Sequence, residues 1–307
     1  MHLSIPDHFQ VKYTNKWGTP LGQKVSRLKE YVTTKSDCSG KVIFFDQFGK
    51  MKFKEKTTRL GTTVLDEVET GRRALRPRFF DSAVGFDEYD KNQLSGIDVP
   101  VSEAIEGFRN AANCMMDQVM IQGFLGTNYT GEDGMTPVEL NAKQIIKASY
   151  VESGSAVDSN LTVAKIRATL QKFMKNEAWG QDSDAMGDRL VLACTSSQIM
   201  SLLRATEVTS SDYSSVKALY EGKVDSFMGF KFLRTELLPS DSSGVRQCLA
   251  WVKSKAQFGL WNDFSVKISV RDDKDEALQV RAKFGCNATR LDELGFVKIL
   301  CKEEEVA

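Results

Sequence analysis

Residues 101–126 read VSEAIEGFRNAANCMMDQVMIQGFLG, and the spacing of their apolar members organises the rest of the chain. Ile105, Phe108, Ala112, Met115 and Val119 recur every three or four positions, which predicts an amphipathic helix over 101–122. Glu103, Glu106, Asn110, Asn113 and Asp117 make the opposite, polar stripe. Pro100 stands just ahead, and Ser102 or the residue before Pro100 can cap the helix. At 1.5 Å per residue the helix spans about 33 Å. Gly123, Gly126, Gly131 and Gly134 then open a loop-rich stretch.

Upstream of this helix the chain reads as extended and basic. Residues 1–20 have weak periodicity, broken by Gly18 and Pro20, and suit an extended arm. Leu21, Val25, Leu28 and Val32 recur at helical spacing. Val42-Ile43-Phe44-Phe45 predicts a strand, and 51–56 alternates, with Lys52, Lys54 and Lys56 opposite Met51 and Phe53. A second extended run covers 72–86, where Leu75, Pro77 and Phe79 alternate with Arg76 and Arg78. Pro77 donates no ladder hydrogen bond, so that strand sits at an edge or leaves the sheet. Together these runs predict a long, basic, two-stranded projection that needs something to lie on.

Downstream of Ser153-Gly154-Ser155 the pattern becomes α/β. A helix fits 162–175 on Val163, Ile166, Leu170 and Phe173, and a buried strand fits Leu190-Val191-Leu192-Ala193-Cys194. Thr195 or Ser196 caps the next short helix. Further strands fit 227–233, 249–252, 264–270, 278–284 and 296–300, before an acidic tail of Glu303, Glu304 and Glu305.

The chain of 307 residues carries 41 Lys+Arg and 41 Asp+Glu, so its balance excludes a generally basic nucleic-acid binder. Its only histidines, His2 and His8, lie in the first ten residues, which disfavours histidine catalysis and histidine metal ligation. Six cysteines, Cys38, Cys114, Cys194, Cys248, Cys286 and Cys301, form no CxxC pair, so zinc is disfavoured and buried, inert thiols are expected. No signal-peptide pattern and no membrane-length apolar run is present, which points to a reduced cytoplasmic setting. Residues 18–24 (GTPLGQK) have the wrong spacing for a phosphate loop, and the acidic runs 66–69 and 272–276 lack the central Gly of a calcium loop. No catalytic residue, cofactor or metal is indicated.

The charge is unevenly placed. Residues 1–80 hold 16 Lys+Arg and 8 Asp+Glu, a net of +8, and the remainder carries −8. Such a split reads either as well-solvated strands whose lysines discourage edge pairing, or as a basic projection that docks on an acidic surface.

In this order of parts the chain resembles one family, the major capsid proteins of tailed bacteriophages. The resemblance rests on the arm, the basic loop with Gly71-Arg72-Arg73-Ala74-Leu75, Asp87 and Asp90 before the helix, and the glycine-rich exit Gly123-Phe124-Leu125-Gly126. It continues through LVLACTSSQ at 190–198, Phe227-Met228-Gly229-Phe230 running to Leu238-Pro239, the return strands at 266–271 and 277–284, and a closing turn at 285–290 with its Arg. It implies an α+β, Hong Kong-97 type capsid fold with an N-terminal arm, an extended β-hairpin loop, a spine helix, a peripheral domain and an α/β axial domain. The expected boundaries are an arm at 1–37, the extended loop at 38–86, a peripheral domain at 87–154 and 263–292 with the spine helix at 101–122, and an axial domain at 155–262 and 293–302.

The function implied is a structural shell protein, not an enzyme, that self-assembles into hexamers and pentamers of an icosahedral capsid around double-stranded DNA. The shell of a nanocompartment or gene-transfer particle is the alternative, and an α/β enzyme a more distant one. The candidate subunit-contact residues are Lys50, Lys52, Lys54, Lys56, Arg72, Arg73, Arg76, Arg78, Glu103 and Glu106. Implied partners are further copies of the chain, a portal, packaged DNA held by non-specific contact and a possible decoration protein, with no membrane. The short arm implies a separate scaffolding protein, with assembly in the host cytoplasm and residence in the virion capsid.

Overall fold

The computed structural model describes residues 22–49, 51, 53–55, 59, 65, 67–68, 70–87, 101–179, 188–204 and 226–303. The chain divides into two compact units. The first comprises Met1–Val25, Phe79–Cys114 and Asp263–Phe284, and the second Ser26–Arg78, Met115–Asn262 and Gly285–Ala307.

The second unit is centred on a six-stranded sheet. Its strands are β7 (Ile145–Ile146), β8 (Leu190–Cys194), β9 (Ser226–Phe227), β10 (Phe230–Arg234), β11 (Val245–Val252) and β14 (Phe296–Lys302), in the order β7-β14-β11-β8-β10-β9. Every residue of β8 is buried, as its unbroken apolar run requires of a central strand. β10 pairs with it in parallel, Phe230 opposite Leu190, and β11 pairs antiparallel, Trp251 opposite Val191. Helix α2 (Val163–Lys175) buries Val163, Ile166 and Phe173 and is capped by Thr162, whose side chain accepts from the Lys165 N–H. Helix α3 (Ser196–Arg204) follows β8, and the Gln198 side chain accepts from the Thr195 N–H at 2.8 Å, half of a capping box.

A four-stranded sheet, β2-β3-β5-β6, also belongs to the second unit. Its strands are β2 (Ile43–Phe48), β3 (Thr70–Leu75), β5 (Asn128–Thr130) and β6 (Thr136–Val138). β2 and β3 pair antiparallel from Ile43 opposite Leu75 to Phe48 opposite Thr70. The expected projection is therefore anchored: β3 pairs on its other side with β5, Ala74 opposite Tyr129. The expected alternating strand at 51–56 is not formed by its described members, because Met51 and 53–55 lie outside any strand. Among the described residues past Phe48, no third strand supports a two-stranded ribbon.

The sheet β1-β12-β13-β4 is built from β1 (Thr33–Lys35), β12 (Ala256–Arg271), β13 (Ala277–Arg290) and β4 (Arg78–Phe86). β1 pairs with β12 only over 257–259, within the second unit. The first unit holds β4 beyond Arg78 and the outer parts of β12 and β13, where Phe80 stacks on Phe284 at 5.1 Å and Arg281 pairs with Asp81 at 2.7 Å. The extended run 72–86 thus breaks at Arg76-Pro77 into strands of two different sheets, and β4 lies at an edge. The alternation does not survive the break: Leu75 is buried while Phe79 is 65% exposed. The closing turn expected at 285–290 is instead the end of β13, and the chain turns at Glu293–Gly295.

Helix α1 (Val101–Leu125) runs three residues beyond its expected end. Gly123 lies inside it: a Cβ there would stand 2.4 Å from the Ala288 carbonyl oxygen, so the glycine permits close approach of helix and strand. Ser102 sits in the first turn and donates to Glu103 instead of capping. The buried stripe is also rotated from the expected one. Met116, Val119 and Met120 are buried, whereas Met115 is partly exposed, and Asp117, assigned to the polar face, is fully buried.

The Leu21–Val32 periodicity does not produce a helix among the described residues, which form only a 3-10 turn at Lys29–Tyr31. Leu28 and Val32 are buried but Val25 is 71% exposed, so the apolar stripe has only two inward members among its described residues. The Asp117 carboxylate takes the hydroxyl of Ser26 at 2.5 Å and the N–H groups of Arg27 and Leu28 at 2.9 and 3.3 Å, satisfying this backbone without a helix. Trp251 then donates from Nε1 to the Tyr31 carbonyl at 2.9 Å.

Candidate subunit interface

The four arginines after Gly71 take four different roles. Arg72 is exposed on β3, donates to Asp46 at 2.8 Å and lies 5.1 Å over the Phe44 ring. Arg73, its neighbour on the opposite face, is only 8% exposed; it pairs with Glu293 and donates from Nε to the Leu291 carbonyl at 3.0 Å. Arg76 lies 5.7 Å over Tyr129, and Arg78 donates to Gln122 at 2.9 Å. Of the lysines, Lys54 is exposed, and Lys50, Lys52 and Lys56 lie outside the described residues. Arg73 therefore has little surface left for a second copy, while Lys54, Arg72, Arg76 and Arg78 have surface to offer.

The acidic candidates lie in the first half of α1. Glu106 is 3.7 Å from Lys24, an exposed pair of the sort that adds little to stability. Glu103 accepts the Ser102 hydroxyl at 3.1 Å. Glu303, the first residue of the acidic tail, is bound: Arg246 reaches both its oxygens, at 3.0 and 2.8 Å, and Thr195 and Gln198 donate to Oε1 at 3.0 Å. The Arg246 hydrogen bonds hold its carboxyl below the usual carboxylate range.

A buried arginine at the end of β13 fastens the loop sheet to α1. Arg290 has no exposure and donates to the carbonyls of Phe124, Gly126 (2.8 Å) and Val138 (3.2 Å). Asn128 completes the shell, donating to the Gly123 carbonyl and accepting from Arg290 Nε, both at 3.0 Å. Helix carbonyls that lack intrahelical partners are thus capped by a guanidinium from a distant strand. Burial pulls the Arg290 pKa down to about 10, opposed by the nearby Glu293 and reinforced by Arg73. Lys165 in α2 is the counterpart in the six-stranded sheet: its amine donates to the carbonyls of Ser159, Asn160 and Leu300 at 2.6, 3.1 and 3.1 Å, and burial lowers its pKa.

The sequence pattern does not reveal the inward roles of Asp117, Arg290, Glu293 or Lys165. A signal exists for Asp117, an acid between Met116 and the apolar pair Val119-Met120, and for Arg290, which ends the small, apolar-leaning run from Cys286. Burial raises the thiols of Cys194 and Cys286 to about 12, which makes them poor nucleophiles. No helix among the described residues is long and apolar enough to cross a membrane.

A family model described as phage capsid protein matches residues 5–303. No curated protein matches the chain. Among solved structures, the capsid of Ralstonia phage GP4 is similar over 100% of this chain and 99% of that one, with a TM-score of 0.73 at 12% identity. The head structure of Helicobacter pylori bacteriophage KHP40 is similar over 99% and 100%, with a TM-score of 0.72 at 10% identity. A Mycobacterium phage Che8 structure is similar over 96% and 98%, with a TM-score of 0.66 at 15% identity. The resemblance read from the order of segments and the fold of the chain therefore agree: this chain belongs to the phage capsid protein family, with the Hong Kong-97 type fold and a structural, not enzymatic, role.

Proposed function

We propose that the chain assembles into hexamers and pentamers of an icosahedral shell that encloses double-stranded DNA. The observation that carries this reading is the exposure of large apolar side chains along the loop. Phe48, Met51 and Leu65 are exposed, and Phe53 is 105% exposed. A subunit that stayed alone would leave this apolar surface in water, and burial against a second copy removes it. Ring contacts are heterologous, one patch meeting a different patch, and the +8 of residues 1–80 against −8 elsewhere suits that pairing.

In this reading 1–37 is the arm, 38–86 the extended loop, 87–154 with 263–292 the peripheral domain, and 155–262 with 293–302 the axial domain. Lys50, Lys52, Lys54, Lys56, Arg72, Arg76 and Arg78 supply the basic side of the contact, and Glu103 and Glu106 part of the acidic side. Assembly in the host cytoplasm with a portal and a separate scaffolding protein, and any decoration protein, follow from the resemblance. Negative-stain microscopy of the expressed chain, alone and with the products of neighbouring genes, tests the shell: closed particles are expected. Particles from infected cells that hold packaged enzymes and no DNA would replace this reading with a nanocompartment, and a stable monomer under all conditions would end it.

A further inference from the structure

Arg76 and Arg78 flank Pro77, where the chain leaves β3 for β4, and both line one cleft of about 200 Å³ in the second unit. Gln122, Thr127, Tyr129 and Asn287 contribute polar groups to its walls, and no Asp or Glu is among its described lining residues. Both cations are held in place. Arg76 lies over Tyr129, donates from Nη2 to the Gly134 carbonyl at 3.3 Å and to the Met135 sulfur at 3.0 Å, and has its own carbonyl bound by Asn287 at 2.7 Å. Its Nε and Nη1 donate to nothing among the described residues. Arg78 donates to Gln122 Oε1, so the Gln122 amide keeps its N–H groups as donors.

The Arg76 guanidinium brings a fixed positive charge into a small notch, with two nitrogens that donate to no described residue, and a negative group there is attracted to it. Its planar fork matches the two oxygens of a carboxylate. We propose that this cleft is a receptor for a single Asp or Glu side chain of a second copy, with Tyr129 and Gln122 as positioning residues. The proposal rests on the assembly reading above and adds to it a specific lock. A notch of this volume takes one carboxylate and its stem, whereas a nucleic-acid backbone is followed by an open row of cations. The predominance of acidic residues beyond position 80, 33 against 25 basic, supplies the occupant.

Arg76→Lys keeps the positive charge and places a primary amine in the cleft. Treating assembled particles of that variant with a water-soluble carbodiimide should join the amine at position 76 to an Asp or Glu, and mass spectrometry of a mixed isotope-labelled population should show that the acid belongs to another copy. Arg76→Glu should cut particle yield by about tenfold or more, with native-like subunit circular dichroism and a melting temperature no lower than that of Arg76→Gln, which loses the same Tyr129 and Gly134 contacts. Arg76→Gln should be intermediate. Arg76→Lys subunits that fold but assemble as poorly as Arg76→Glu would show that the fork itself is required, which supports the receptor. Normal assembly of Arg76→Glu overturns it, as does carbodiimide coupling at other lysines but none at position 76. Normal shells with reduced DNA content would assign the cleft to phosphate and also overturn it. The double variant Lys54→Glu, Arg72→Glu separates the readings: if it assembles normally while Arg76→Glu does not, the cleft stands and the wider basic loop does not.

Discussion

At the scale of single residues, the most informative group is Asp117. Its carboxylate is buried in α1 and terminates the entering chain through one hydroxyl and two amide hydrogen bonds. A helical wheel places it with Asn110 and Asn113 because periodicity records only direction, not what the neighbouring chain covers. Removing it leaves the buried Leu28 N–H, and the half-buried Ser26 and Arg27 donors, without this acceptor. Asp117→Ala is expected to lower stability by about 2–4 kcal/mol in urea unfolding, and Asp117→Asn by less, because the amide oxygen still accepts. Equal stability of Asp117→Ala and the parent would mean that the 26–28 turn is solvated. Glu303 makes a pH-dependent contribution. Its folded pKa is depressed, so its stabilisation is present above the ordinary carboxylate range and is lost as pH falls through the folded value. The melting difference between the parent and Glu303→Gln should be largest above about pH 5 and shrink in acid. A difference that grows in acid would reverse that sign.

At the scale of elements, the loop sheet and α1 are coupled through Arg290. Three main-chain carbonyls and Asn128 converge on this one guanidinium, with Glu293 and Arg73 beside it. Arg290→Met preserves much of the volume and removes every one of these donors. It is expected to cost about 3–5 kcal/mol, since Glu293 and the helix carbonyls lose their partner, and to speed amide exchange at the C-terminal turn of α1 and in β5. Unchanged exchange there, measured by hydrogen–deuterium mass spectrometry, would refute the coupling. The same network removes Arg73 from the group of residues a variant can reverse harmlessly. A charge reversal at position 73 tests folding before it tests assembly.

At the scale of the whole molecule, net charge conceals the organisation that matters. The basic share lies in the arm and loop and the acidic excess in everything after residue 80, which makes association between copies sensitive to salt. The Lys54→Glu, Arg72→Glu variant is expected to keep native circular dichroism, because Lys54 is exposed and the Arg72–Asp46 pair is a surface pair worth at most about 1 kcal/mol. Its assembly yield should fall by about tenfold, and raising ionic strength toward about 1 M should weaken assembly of the parent in the same direction. Parent assembly that is indifferent to salt would assign the contact to the apolar residues Phe48, Met51 and Phe53 instead.

The long helix, the buried strand at 190–194 and the helix beginning near Thr162 are legible in the sequence, and Pro77 marks a strand that lies at an edge or leaves its sheet. Each is set by a local rule: a hydrophobic period or a missing N–H donor. The order of these segments was enough to identify the family. Tertiary contacts alone make 22–32 non-helical, seat Gly123 against Ala288, turn Arg73 and Arg290 inward, and bring Arg76 and Arg78 to one cleft. Those outcomes depend on partners 44 to 220 positions away along the chain. A charged or polar residue looks the same in sequence whether water or a distant carbonyl satisfies it, and only the fold brings that carbonyl to it.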